Sequence, residues 1–404
     1  MSSLTAELAQ QALIPQEKLA KAAEGRVRLQ IGLPKEIASQ ENRIALTPEA
    51  VQLVVRNGNE VILEKGAGEG AKFSDSMYAE AGAMIAPNAK DVLESGIILK
   101  INPLTAAEFE FIKPDTTIIS TLNSAQIPKE YFDKMLEKRA NGIAFEYLQD
   151  QSGGFPVVRA MSEIAGGSVM LIAAELLSSV NHGRGMLLGG ITGVPPTKVV
   201  ILGAGTVAEY AVRVALGLGA DIKIFDKEIY RLQRLRYAVG QAVSTSIIDS
   251  NNLEEAISRA DVVIGAMRAE NGSSPCVVTE TMVTKMKANA VIIDISIDQG
   301  GCFETSKATT LKKPTYIEHG VIHYCVPNIA SRVGHTASMA LSNIFTPFLL
   351  KTSSIGGIEE LIFSNQWSLK GVYAHKGSIT NRFIAKKFGF RFKDLSLLTA
   401  AARF

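Results

Sequence analysis

The residues best suited to chemistry stand at the ends of apolar runs. In "ILKINPL" three aliphatic residues lead to Lys100, and Asn102 with Pro103 stops the run. A lysine beside an asparagine at the end of a buried strand is expected to face a pocket, the plainer alternative being that Lys100 supports the fold. In "PKEIASQENRIALTP" Arg43 stands before an apolar strand end, and a guanidinium there suits a bidentate clamp on a substrate carboxylate, although taken alone a solvated surface arginine is the plainer reading. In "IDISIDQGGCFETS" Asp298 lies just past an apolar strand, with Gly300 and Gly301 permitting a sharp turn. An acid at the carboxyl end of such a strand can steer a ribose or hold a polar intermediate, the plainer alternative being a turn cap. In "HYCVPN" Asn328 is placed to face a ligand, whereas His323, inside the strand, reads as a satisfied structural residue.

One motif is stronger than these. "VVILGAGTVAEYA" matches G-x-G-x-x-A at Gly203, Gly205 and Ala208, follows an apolar strand, opens a helix, and precedes a second strand ending in Asp226. Gly203 permits the tight turn, Gly205 lets the backbone approach a pyrophosphate, Ala208 lets helix and strand pack closely, and the helix N-terminus favours phosphate. Asp226 can accept hydrogen bonds from adenosine ribose hydroxyls and repels a 2′-phosphate, which favours NAD over NADP; Lys227 and Arg231 weaken that preference.

The elements that must position these residues alternate along the chain. From Leu29, short strands ("RLQIGLPKE", "EVILEKG", "GIILKI", "TTIISTL", "GIAFEYL") are separated by helical stretches such as "TPEAVQLVVRNGN", where Thr47 is the N-cap and Pro48 the first helical residue. After the glycine-rich "NHGRGMLLGGITGVPP" a second series begins at Lys198, with "NAVIIDISID" and "GVIHYCVPN" among its strands. Such alternation predicts mostly parallel sheets with helices on both faces. The long apolar helix "TASMALSNIFTPFLLK" is expected to return the chain to the first unit. This places residues 29–156 and 334–404 in one discontinuous domain and 157–333 in another, behind a helical extension over 1–28.

Composition narrows the function classes. The chain has 404 residues, 47% hydrophobic and 20% charged, too many for one ordinary core. A formal charge of +2 gives little pull towards nucleic acid or an anionic membrane. No apolar run is expected to span a bilayer, which takes about 18 residues; "SVMLIAAELL" reads as a buried helix broken by Glu175, and residues 1–28 do not read as a signal peptide. Cys276, Cys302 and Cys325 are too scattered for a disulfide scaffold or a metal site, so a reducing cytoplasm and no metal are expected.

From Leu29 onward the chain resembles the alanine dehydrogenase and nicotinamide nucleotide transhydrogenase α-subunit family, on "GLPKE…ENRIALTPEAV", "EKGAGEGAKFSD", "MSEIAGG", "GRGMLLGGITGVPP", "VVILGAGTVAE", "VIIDISIDQGGCFETS" and "HYCVPN". The last two stretches look like the soluble alanine dehydrogenase branch. The resemblance implies two Rossmann-like domains with parallel sheets and a cleft between them, an NAD cofactor, and a small amino-acid or keto-acid substrate. It implies that Arg43 grips the substrate carboxylate and that Asp298 is the catalytic aspartate. Ser162, Thr206, Val207, Asp226, Arg231, Met267, Arg268, Ile295, Ser296, Ile297, Asp298, Lys307, Val326, Asn328 and Ile329 would contact the cofactor. It further implies a homo-oligomer, dimer or hexamer, to which the apolar "TASMALSNIFTPFLLK" helix would lend surface.

Two positions depart from the family. Alanine dehydrogenases typically carry "LKVKEP" where this chain has "LKINPL", and "LHLAA" where it has "LNSAQ", so a lysine and a catalytic histidine are replaced by Asn102 and Asn123. Asparagine orients a carbonyl but does not shuttle protons near neutrality. The expected function is an NAD-dependent alanine dehydrogenase-type oxidoreductase with an altered acid/base group, Lys100, Glu146 and His182 being candidates for that role. The alternatives are an NAD(H)-binding sensor with impaired catalysis and a transhydrogenase α-subunit-like protein.

Overall fold

The computed structural model describes residues 25–38, 40–122, 127–268, 274–364, 370–395 and 397. The first strands are β1 (Gln30–Leu33), β2 (Glu60–Glu64), β3 (Met84–Ala86), β4 (Ile97–Leu99), β5 (Thr117–Ser120) and β6 (Asn141–Ala144). A second sheet follows from β7 (Lys198–Leu202), β8 (Asp221–Asp226), β9 (Ser244–Ile247), β10 (Val262–Gly265), β11 (Val291–Asp294), β12 (Thr315–Glu318) and β13 (Val321–Tyr324). The chain then returns, and β14 (Val372–His375) and β15 (Ser378–Ile379) extend the first sheet. The spatial orders are β15-β14-β6-β5-β4-β1-β2-β3 and β12-β13-β11-β10-β7-β8-β9. Pairing is parallel except where β12 joins β13, β14 joins β6 and β15 joins β14.

Among its parallel strands, each sheet reverses its order once. In the first sheet β1 lies between β2 and β4, and in the second β7 lies between β8 and β10. Beyond the carboxyl ends of such strand pairs the connections run to opposite faces and leave a crevice, where open α/β sheets bind ligands. Arg43 and Asn102 follow β1 and β4, and Gly203 and Met267 follow β7 and β10.

Local chemistry explains the helices that flank these loops. Pro48–Arg56 starts where the Thr47 hydroxyl accepts a hydrogen bond from the Ala50 N–H, and it buries Val51 and Val54. Pro156–Leu177 is a 22-residue helix. By length and composition alone it could cross a membrane, contrary to the expectation that no run was long enough. Val169, Met170, Ile172, Ala173 and Leu177 instead enter the core of the second sheet. An added Cβ at Gly166 would stand 2.3 Å from the Val207 carbonyl, so only glycine lets this helix lie so close to Thr206–Gly217.

The helix Gly334–Ser354 carries the chain back. Its Ala337, Leu341, Phe345 and Leu349 are fully buried, and the last three join Leu33, Leu46 and Val51 in the first unit's core. Each such Leu or Phe contributes roughly 1.5–3 kcal/mol. The apolar face expected to serve an oligomer is therefore covered within the monomer. Ser338 Oγ and Ser342 Oγ of the same helix accept from the backbone N–H groups of Ile44 and Thr47 at 2.9 and 2.7 Å, fixing the loop that carries Arg43.

Candidate active site between the two sheets

The loop after β1 presents a guanidinium and two carboxylates. Arg43 Nε and Nη2 each donate to Glu41 at 2.7 Å, and Nη1 lies 3.5 Å from Met161 Sδ on the Pro156–Leu177 helix. Glu41 Oε2 also accepts from Asn102 Nδ2 at 3.3 Å and from Asn328 Nδ2, of the second unit, at 2.9 Å. Burial pushes the Glu41 carboxyl up, but the Arg43 guanidinium, with Asn102, outweighs it and holds the carboxyl below its usual range. Asn102 Nδ2 additionally reaches Glu36 Oε2 at 3.1 Å, and the Ile101 N–H donates to Glu36 Oε1 at 2.6 Å. Glu36 is half-buried, and loss of water raises its carboxyl to about 7; Lys100, Ile101 and Asn102 oppose the rise, and Glu41 adds to it.

The same loop ties the two units together. The Asn42 N–H donates to Ser331 Oγ at 2.9 Å, Asn42 Nδ2 donates to the Ser331 carbonyl at 3.0 Å, and the Leu311 N–H donates to the Gln40 side chain. Arg43 and Asn102 are thus brought beside Asn328, as a substrate site at a domain cleft requires. Glu36 and Glu41 were not among the expected site residues. Their signal was two carboxylates in one short loop with Arg43.

Lys100 is placed elsewhere. Its ammonium pairs with Glu108 Oε1 at 2.5 Å, with side-chain exposures of 1% and 4%, and Glu108 Oε2 accepts the Thr105 N–H. This is a buried ion pair that shapes the turn after β4, and it leaves the lysine covered rather than presented to a ligand. Asn123 lies outside the described residues. Glu146, after β6, accepts the Leu122 N–H at 2.8 Å, which sets it beside that segment.

In the second unit the Gly203–Gly205 turn leads into Thr206–Gly217. Gly203 has φ of +103°, and an added Cβ there would meet the Ala266 carbonyl at 2.5 Å; one at Gly205 would meet nothing within 4 Å. Gly205, Thr206 and Val207 are partly open to solvent above a buried Ala208. A positive-φ turn, open space and a free helix N-terminus fit a dinucleotide diphosphate. Asp226 ends β8, where its buried carboxylate accepts the Ala204 N–H at 2.7 Å and the Glu228 N–H at 2.9 Å, so it organises the glycine turn. Arg231 pairs with Glu228 at 2.9 Å.

The strand expected to run through "NAVIIDISID" ends at Asp294. The buried Asp294 carboxylate accepts from the Ser296 and Cys302 N–H groups and the Ser306 hydroxyl, which folds the chain into a loop with a short 3-10 turn over Ile297–Gln299. Burial raises the Asp294 carboxyl despite these donors. Ser296 Oγ donates to the Met267 carbonyl at 2.8 Å and joins this loop to the one after β10, where Arg268 is exposed. Ile295 and Ile297 are half-buried. Solvent reaches part of Asp298, yet the surrounding protein desolvates its carboxyl, and with Asp294 nearby it rises to about 6. Val326 and Ile329 are buried beside an exposed Asn328, whose φ of 58° turns the chain there. Lys307 pairs with Glu318 at 2.6 Å, and Ser162 is half-buried one turn before Gly166. His323 is a satisfied core residue between Thr305 Oγ1 and the Val321 carbonyl. Among the described residues no cluster of His, Cys, Asp or Glu has metal-binding geometry.

Known proteins share this arrangement. Residues 32–165 match the family model "Alanine dehydrogenase/PNT, N-terminal domain", and residues 169–382 match its C-terminal domain counterpart. Alanine dehydrogenase 2 of Staphylococcus aureus (strain USA300) is 38% identical over 368 residues, covering 91% of this chain and 98% of that protein. A solved L-alanine dehydrogenase superposes with a TM-score of 0.84 at 34% identity, covering 89% of this chain and 99% of the other. A transhydrogenase from Sinorhizobium meliloti, 22% identical, shares the fold with a TM-score of 0.75 over 88% of this chain and 99% of its own. With two paired sheets, facing crevices and both domains matched, the chain belongs to the alanine dehydrogenase/PNT family of NAD(H)-linked oxidoreductases.

Proposed function

We propose that the protein is an NAD-dependent amino-acid dehydrogenase whose reference reaction converts L-alanine, NAD and water to pyruvate, ammonium and NADH. Residues 29–156 with 334–404 would hold the substrate and residues 157–333 the cofactor. The observation that carries this reading is the junction of the two crevices, where Glu41 of the Arg43 clamp meets Asn328 of the cofactor unit at 2.9 Å. When bound, NAD supplies the hydride acceptor. Gly203, Gly205 and Thr206 would hold its diphosphate, Asp226 and Arg231 its adenosine end, and Met267, Ser296 and Asn328 the nicotinamide end.

The chain's own residues have separate tasks. Arg43 grips the substrate carboxylate, exchanging Glu41 for it. Asp298 holds the hydroxyl of the carbinolamine, which forms when water adds to the imine carbon after the Cα–H bond has given up its hydride, and which breaks down by loss of ammonium. Asn102 and Asn123 orient the reacting group without moving protons. The test is to follow NADH absorbance with a panel of amino acids, beside a direct NAD titration. Asp298→Asn should lower kcat by ~10²–10⁴-fold. Asn102→Lys with Asn123→His should raise alanine oxidation at least about tenfold if the two asparagines limit the rate. NAD binding without turnover of any amino acid would instead favour an NAD(H)-binding sensor. That second reading draws on Arg43, whose Nε and Nη2 are already bonded to Glu41.

A further inference from the structure

The charges around Asn102 do not balance. Two carboxylates, Glu36 and Glu41, share one amide nitrogen, Asn102 Nδ2, at 3.1 and 3.3 Å. The single guanidinium facing them, Arg43, is bonded twice to Glu41 and not to Glu36. The cation after β4, Lys100, is paired at 2.5 Å with Glu108. Lys35, next to Glu36, has its ammonium 4.0 Å from Glu69. Asn328 brings only a neutral amide from the second unit. Among the described residues, Glu36 therefore has the N–H groups of Ile101 and Asn102 and one shared amide, and the cation that acts on it, Lys100, is already neutralised by Glu108.

We propose that Glu36 sets the charge of the carboxylate pocket and so determines which ligands it accepts: protonated, it admits an α-carboxylate beside Arg43, and ionised, it repels one. The ligand class rests on the dehydrogenase reading; the surplus carboxylate does not. With a proton on Glu36 the pocket holds one anion and one cation, Glu41 and Arg43. Without it, two anions face one guanidinium, and an incoming carboxylate makes three. The desolvation that lifts Glu36 towards neutrality places this choice within the working pH range. Glu36 is thus a specificity-determining residue, acting on binding rather than on bond breaking. Its loss should move KM for a keto acid and leave kcat near its native value.

Two measurements on the full chain test this. In protein labelled with carbon-13 at the glutamate carboxyl, one signal should titrate near neutrality and vanish in Glu36→Gln. A Glu36 signal that titrates in the ordinary carboxylate range overturns the proposal, whatever the protein catalyses. Calorimetric titration of oxamate into the NADH-saturated protein gives the second readout. Above the Glu36 midpoint the native Kd should rise about tenfold per pH unit, and in Glu36→Gln it should stay within about twofold. Equal pH slopes in the two proteins overturn the proposal. If oxamate binds at no pH, the dehydrogenase reading fails while the carbon-13 titration still decides the role of Glu36. If Glu36→Gln does not fold, Asn102→Lys replaces it: an ammonium between the two carboxylates should pull the Glu36 titration down and flatten the oxamate slope, and an unmoved titration overturns the proposal.

Discussion

Removing either partner of the Lys100–Glu108 pair leaves a charge stranded where water scarcely reaches. Lys100→Ala is expected to destabilise the fold by about 3–5 kcal/mol, read by urea unfolding, while Lys100→Met with Glu108→Leu should recover most of the loss. Glu36 gives a second prediction whose sign follows from its raised pKa. Between its ordinary 4.5 and about 7, the folded chain holds a proton that the unfolded chain has released. Its contribution is fully present below pH 4.5 and is lost as pH rises through about 7. Glutamine cannot ionise, so Glu36→Gln should gain on the native protein by ~1–2 kcal/mol between about pH 5 and pH 8, a figure reduced for the partial exposure of the site. A difference that does not vary with pH would refute the assignment. Arg43 and Asp226 were legible in the sequence because each stands beside a recognisable strand end or motif. Glu36 and Glu41 were not, because a carboxylate in a polar loop looks solvated until the reversal between β1 and β4 puts Asn102 over it. Lys100 misled for the same reason: its partner is eight residues on, across a turn that carries no periodic signal.

The elements nearest the glycine turn hold a third prediction. Gly166→Ala would drive a methyl into the Val207 carbonyl and push two helices apart. We expect a loss of ~1–3 kcal/mol in thermal stability and weaker NAD binding, measured by calorimetry, because Val207 lies in the first turn of the helix proposed to hold the diphosphate. A variant with native NAD affinity would uncouple the helix contact from the site. The element pattern itself was largely readable. Thr47 and Pro48 marked a helix start, Gly58 its end, and alternation forecast parallel sheets. Strand ends were less so: Asp294 halts β11 through three hydrogen bonds to residues beyond it, which no local pattern announces. β14 and β15 were unexpected because short strands at the margin of a sheet are specified by their neighbours, β6 for β14 and β14 for β15, more than by their own residues.

For the whole molecule, the buried face of Gly334–Ser354 removes one argument for self-association, and another region supplies a better one. Leu171, Val180, Leu187, Ile191 and Val194 are all more than half exposed along the Pro156–Leu177 helix and the glycine-rich segment after it. Apolar exposure on that scale suits a contact between copies. Light scattering should show a homo-oligomer, and Leu187→Asp with Ile191→Asp should yield a 43.3 kDa monomer with unchanged circular dichroism; a native monomer would refute this. The discontinuous first unit has a further consequence, for synthesis. Its sheet begins at Gln30, yet the serines that receive the Ile44 and Thr47 backbone are Ser338 and Ser342, and β14 starts only at Val372. On a ribosome the second unit has all its strands by Tyr324, while the older half still lacks a core helix and an edge. The nascent chain can therefore complete its second sheet before its first, and Leu33, Leu46 and Val51 must wait for the Gly334–Ser354 helix to be covered.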